Sequence, residues 1–138
     1  MSIAVSANLH AAPASKSTLG IARRLTVLPV LFLLFDGVAK VMEWPPVLEA
    51  CARLEVPRRV IPGLGAVLIA ATLVDAVPRT SLLGAIVLTG DLGGATWTHV
   101  RMGGPALPIL FPVLVAAMVW GGLYLREPRL RAIVPVRR

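Results

Sequence analysis

The chain has 138 residues, 57% of them apolar, and a formal charge of +7. Its mean hydropathy is +0.80. Soluble domains are about 45–50% apolar, so this composition excludes an ordinary water-soluble fold and leaves room for one small membrane domain.

Residues 1–20 are rich in Ala and Ser and lack an apolar period, which predicts a disordered tail ahead of the membrane domain, residues 21–135. Arg23 and Arg24 then precede an apolar run without a small-residue cleavage site, so the expected first span, 25–44, is uncleaved. Three more spans are expected at 60–77, 81–99 and 106–125. Each is near the ~20 residues that cross the hydrocarbon core. Pro62 falls in a first turn, where it is tolerated, and Pro112 falls deeper, where a kink is expected. Between the first two spans, "PPVLEACARLEVPRR" alternates apolar and charged residues and predicts a short helix lying at the interface. The predicted fold is therefore an all-α integral membrane protein, a four-transmembrane-helix bundle with one short interfacial helix. A basic cytoplasmic tail, 126–138, follows.

The basic residues stand at the ends of the apolar runs rather than on one face, which argues for membrane flanks and against nucleic acid. With both termini on one side, that side holds nine Lys and Arg, and the other holds four: Arg53, Arg58, Arg59 and Arg101. The positive-inside rule then places both termini in the cytoplasm, in a bacterial-type inner membrane. The single cysteine, Cys51, excludes an intrachain disulfide and any CxxC motif, and reads as a small apolar residue. No nucleotide or metal motif is present: "GLG" at 63–65 lies inside a span.

The chemistry-bearing residues are the polar ones inside the spans. At ~1.5 Å of rise per residue, Asp36 lies about 18 Å from Arg24, and Asp91 about 18 Å from Arg79. Lys40 and His99 lie nearer the outer surface. Asp36 and Lys40 are four residues apart, so one helix face carries both. An isolated charge at mid-bilayer costs at least ~2.5–3.5 kcal/mol, which pairing reduces. Asp36, Lys40, Asp91 and His99 are expected to line one cavity open toward the outer half, with Gly90 and Gly94 letting the first and third spans approach. Gly121 and Gly122 offer a second close-packing face. Arg101 joins these residues as a ligand-binding candidate, and Asp36 and Asp91 are the catalytic candidates. Asp75, four residues before Arg79, reads as an inner-surface residue. Trp44, Trp97 and Trp120 read as interfacial or packing aromatics.

Several stretches together carry a resemblance: "LFLLFDGVAK" (31–40), "PRTSLLGAIVLTG" (78–90), "LGGA" (92–95), "THVR" (98–101), "LFP" (110–112) and "WGGLYLREPRLRAIVP" (120–135). The chain resembles the DoxX-like family of small four-helix membrane proteins. The resemblance implies a four-helix bundle with cytoplasmic ends, in which Asp36, Gly37, Lys40, Thr98, His99 and Arg101 stand where the family pattern carries them. Tyrosine is usual in the family where this chain has Asp75 and Asp91. The family name comes from a subunit associated with thiosulfate:quinone oxidoreduction. The first functional expectation is thus an accessory or partner-binding subunit of a quinone-linked redox system, with a protein partner or a homo-oligomer. The second is a bundle binding an apolar small molecule such as a quinone or another lipid. The third is an intramembrane acid–base enzyme using Asp36, Lys40 and Asp91.

Overall fold

The computed structural model describes residues 15–134, and every element among them is helical. The order is α1 (Lys16–Val41), α2 (Pro45–Arg53), a 3-10 turn (Arg58–Val60), α3 (Ile61–Ala76), α4 (Ser81–Arg101), α5 (Ala106–Arg126) and α6 (Pro128–Ile133). Residues 1–14 and 135–138, parts of the two expected tails, lie outside the described residues.

Helix α1 starts nine residues before the expected Leu25 and ends three before Trp44. Residues 16–20, expected in the tail, form its first turn and the start of its second. The cause is a cap: the Ser15 hydroxyl accepts from the Thr18 backbone N–H at 3.2 Å. The expected C-terminal tail begins at the last residue of α5 and includes α6, which is capped by the Glu127 carboxylate accepting from the Arg129 N–H.

Three helical segments are long and apolar enough to cross a membrane: Lys16–Val41, Arg58–Ala76 and Ala106–Arg126. Helix α4 has the length but is diluted by four glycines, Asp91, His99 and Arg101. The outer surface is apolar, with Phe35 and Leu83 each 62% exposed and Leu107 77%. In water such a surface would aggregate, whereas in lipid it needs no cover. Threonine hydroxyls at 26, 72, 89, 96 and 98 donate to the carbonyl four residues back, so these groups are satisfied within their own helix.

The four long helices pack around a ring in the order α1, α3, α4, α5, with α5 closing against α1. Leu33, Leu68, Ala85, Leu88, Val119 and Leu123 form the central core. Helices α1 and α4 therefore stand on a diagonal, and the expected approach between them through Gly90 and Gly94 does not occur. A Cβ built at Gly90, Gly93 or Gly94 meets nothing within 4 Å.

Other glycines make the close contacts. A Cβ on Gly65 of α3 would fall 2.6 Å from the Gly37 carbonyl oxygen and 2.8 Å from Lys40 Cβ on α1. A Cβ on Gly84 of α4 would collide with the backbone of Asp75 on α3. On α5, a Cβ at Gly122 would lie 3.1 Å from the Leu25 carbonyl. Pro29 lies four residues after Leu25 and has no N–H to donate to that carbonyl. Gly122 thus seats α5 against backbone that α1 leaves without its usual helical donor. Gly121 makes only an ordinary contact, 3.6 Å from Leu25 Cδ1.

Candidate functional site

The Gly37–Gly65 contact brings the backbones of α1 and α3 together one residue after Asp36. The C-terminal half of α1 is held there, and the Asp36–Lys40 face turns toward the ring's interior. Lys40 Nζ donates to Asp36 Oδ2, and the pair is partly buried. This is the i, i+4 partnership expected from spacing.

Across the diagonal, the second half of α4 presents Asp91, Thr98 and His99. Between the two helices lies a cavity of about 640 Å³. Asp36, Lys40, Asp91 and His99 all line it, together with Gly90 and Gly94. The two glycines expected to close the gap between the helices instead leave it open. The rest of the lining is mainly apolar, including Phe32, Leu33, Phe111 and Val115. Phe32 of α1 and Phe111 of α5 meet edge to face, with ring centroids 5.2 Å apart.

Helix α2 covers one end of this space through Pro46, Val47, Ala50 and Cys51. Cys51 is buried. Burial pushes its thiol above the ordinary value, the Lys40 charge acts to lower it and the Asp36 charge to raise it. The sequence reading of Cys51 as a small apolar residue does not anticipate its place in the lining. Its position in the apolar phase of "VLEACARL", with Val47 and Leu48, was the available signal.

The segment carrying α2 is pinned at both ends. Glu43 (φ +52°) precedes the helix and Glu55 (φ +56°) follows it, both in left-handed backbone that disfavours side chains. Arg58 Nε donates to Glu43 Oε1 at 3.1 Å. Arg101 reaches Glu55 Oε2 at 3.5 Å and donates to the Leu54 carbonyl at 3.3 Å. Arg101 is therefore placed outside the cavity lining, as a tie between the end of α4 and the segment after α2.

Asp75, read from the sequence as an inner-surface residue, is the penultimate residue of α3 and is packed between helices. It is 3% exposed, beneath Gly84, and its Oδ1 has no hydrogen-bond partner among the described residues. Trp120 is a packing aromatic: its Nε1–H donates to Thr89 Oγ1 at 2.7 Å, joining α5 to α4. Trp44 meets Phe35 edge to face at 6.0 Å on the exposed surface. Among the described residues no cluster of His, Cys, Asp and Glu has metal-site geometry.

A ring of apolar helices around a part-polar internal cavity defines a membrane protein of the helical-bundle class. The DoxX-like family profile matches residues 24–122, and the chain belongs to that family. No curated protein and no solved structure matches the chain at a significant level.

Proposed function

We propose that this DoxX-like protein holds an apolar small molecule with a polar end inside the membrane. The observation that carries the reading is the cavity of about 640 Å³, apolar over most of its lining, with Asp36, Lys40, Asp91 and His99 converging on it. Ligand sites are typically concave, mainly apolar and supplied with a few polar groups that orient the ligand. Intramembrane ionisable groups facing a cavity mark function more often than packing.

In this reading α4 is a fourth span alongside α1, α3 and α5. It packs between α3 and α5 and matches α5 in length, at 21 residues. The nine-to-four distribution of Lys and Arg supports cytoplasmic termini in a bacterial-type inner membrane, with α2 on the outer interface. The polar residues would meet the ligand's polar end and the phenylalanines its apolar body. A quinone is one molecule of this form, so a quinone-linked redox partnership is compatible with the same site. The cavity favours ligand holding as the primary role.

The test is native mass spectrometry of the intact protein released gently from its own membranes, compared with Gly94→Phe. The expected result is a bound lipophile on the wild type that is lost in the variant, because the new ring would fill the cavity. A wild-type protein free of bound lipophile, which also takes up none from a total lipid extract, would overturn the reading.

A further inference from the structure

The charges around the cavity do not balance. Lys40 is engaged by Asp36, so that pair is neutral as a unit. Arg101 is engaged outside the lining, by Glu55 and the Leu54 carbonyl. Asp91 also faces the cavity, and among the described residues no salt bridge reaches it. His99 stands eight residues further along α4, about 12 Å at ~1.5 Å per residue, too far for a direct bond. Two carboxyls and one ammonium thus face a space walled largely by apolar side chains, and the one ammonium is bonded to Asp36, so among the described residues Asp91 has no salt-bridge partner. Apolar surroundings make an uncompensated carboxylate costly, and a bound cation removes that cost. Phe32 and Phe111 stand in the same lining, and aromatic rings attract ammonium groups that approach a face within about 6 Å of the ring centre.

We infer that the cavity selects a lipophilic monocation, a protonated amine carried on an apolar body, with its ammonium on Asp91. This deepens the ligand-holding reading and rests on it. The Asp36–Lys40 pair adds a hydrogen-bonding wall without changing the charge count, because its two charges cancel. An anionic headgroup would meet Asp91 with like charge. A neutral headgroup would meet Asp91 in its protonated form and gain no ionic contribution from it.

The experiment compares four probes of one chain length: dodecylamine, dodecanol, 2-dodecanone and dodecanoate. Each is titrated against the purified full-length protein at pH 7 in one uncharged detergent, and apparent affinity is read from the rise in Tm. The same titrations on Asp91→Asn remove effects of the probe on the micelle. Dodecylamine is expected to bind wild type at least tenfold tighter than the other three, to lose that preference in Asp91→Asn and to keep it in Asp91→Glu. If Asp91→Asn does not melt cooperatively, Asp91→Ser takes its place. Dodecanol or 2-dodecanone binding as tightly as the amine would overturn the cation inference and leave the ligand-holding reading standing. An amine preference that persists in Asp91→Asn would overturn the role of Asp91. A wild type stabilised by none of the four would overturn both.

Discussion

The two halves of α4 use the same small residue in opposite ways. In the first half, Gly84 lets the backbone of Asp75 come so close that no side chain fits between α3 and α4. In the second half, Gly90 and Gly94 touch nothing, and the missing side chains become cavity. The carboxylates follow the same division. Asp75 is sealed in the packed half, whereas Asp91 faces open space in the other. A glycine in a membrane helix can therefore mark a helix crossing or a binding space, and what stands across from it decides which.

The sharpest way to break this comparison is to add bulk at both sites. Gly84→Val should cost about 3 kcal/mol or prevent assembly, because the backbone of Asp75 cannot move aside as a flexible side chain could. Gly94→Val should change stability by less than about 0.5 kcal/mol, since its new atoms enter empty space. Thermal melts of both variants in one detergent decide the matter, and equal losses would remove the distinction.

A smaller effect is expected in the open half, at the ion pair. Lys40→Met leaves Asp36 without its partner and should cost about 1–2 kcal/mol, reduced from fully buried values because both side chains are partly exposed. The double change with Asp36→Asn should recover part of that loss. A double-mutant cycle on thermal stability measures the coupling, and strictly additive losses would show that the pair contributes nothing as a pair.

The smallest effect concerns the cover over the open half. The Cys51 thiol is raised by burial, so its labelling by a maleimide should keep accelerating above the pH at which a free cysteine levels off. Arg101→Ala removes an exposed tie worth ~0.5 kcal/mol, which corresponds to roughly two- to threefold faster labelling. Labelling rates across pH for the two proteins test both points. An unchanged rate in Arg101→Ala would mean that Glu55 and Leu54 do not hold α2 over the cavity.

Much of this protein is legible in its sequence because the relevant physics is local. Apolar runs of about 20 residues specify membrane-suited helices whatever surrounds them. The spacing of Asp36 and Lys40 places them on one face of any helix that contains both. Even the early start of α1 was written locally, in Ser15 and Thr18, although apolar periodicity alone hid it. Counting residues sets Asp36 and Asp91 at similar distances from the basic residues that flank their helices, and both line one cavity.

Helix partnership was not legible, because spacing along one helix does not say which neighbour it meets. Nothing in "LTGDLGGAT" tells Gly90 and Gly94 apart from Gly84 as contact residues. Only the ring order, with α1 and α4 on a diagonal, turns the first two toward empty space and presses the third onto α3. The same order buries Asp75, brings Phe32 to Phe111 and draws Cys51 over the cavity. Local periodicity determined which helices form and which side chains share a face. The tertiary structure alone decided which faces meet and which enclose space, because those contacts join residues far apart in the chain.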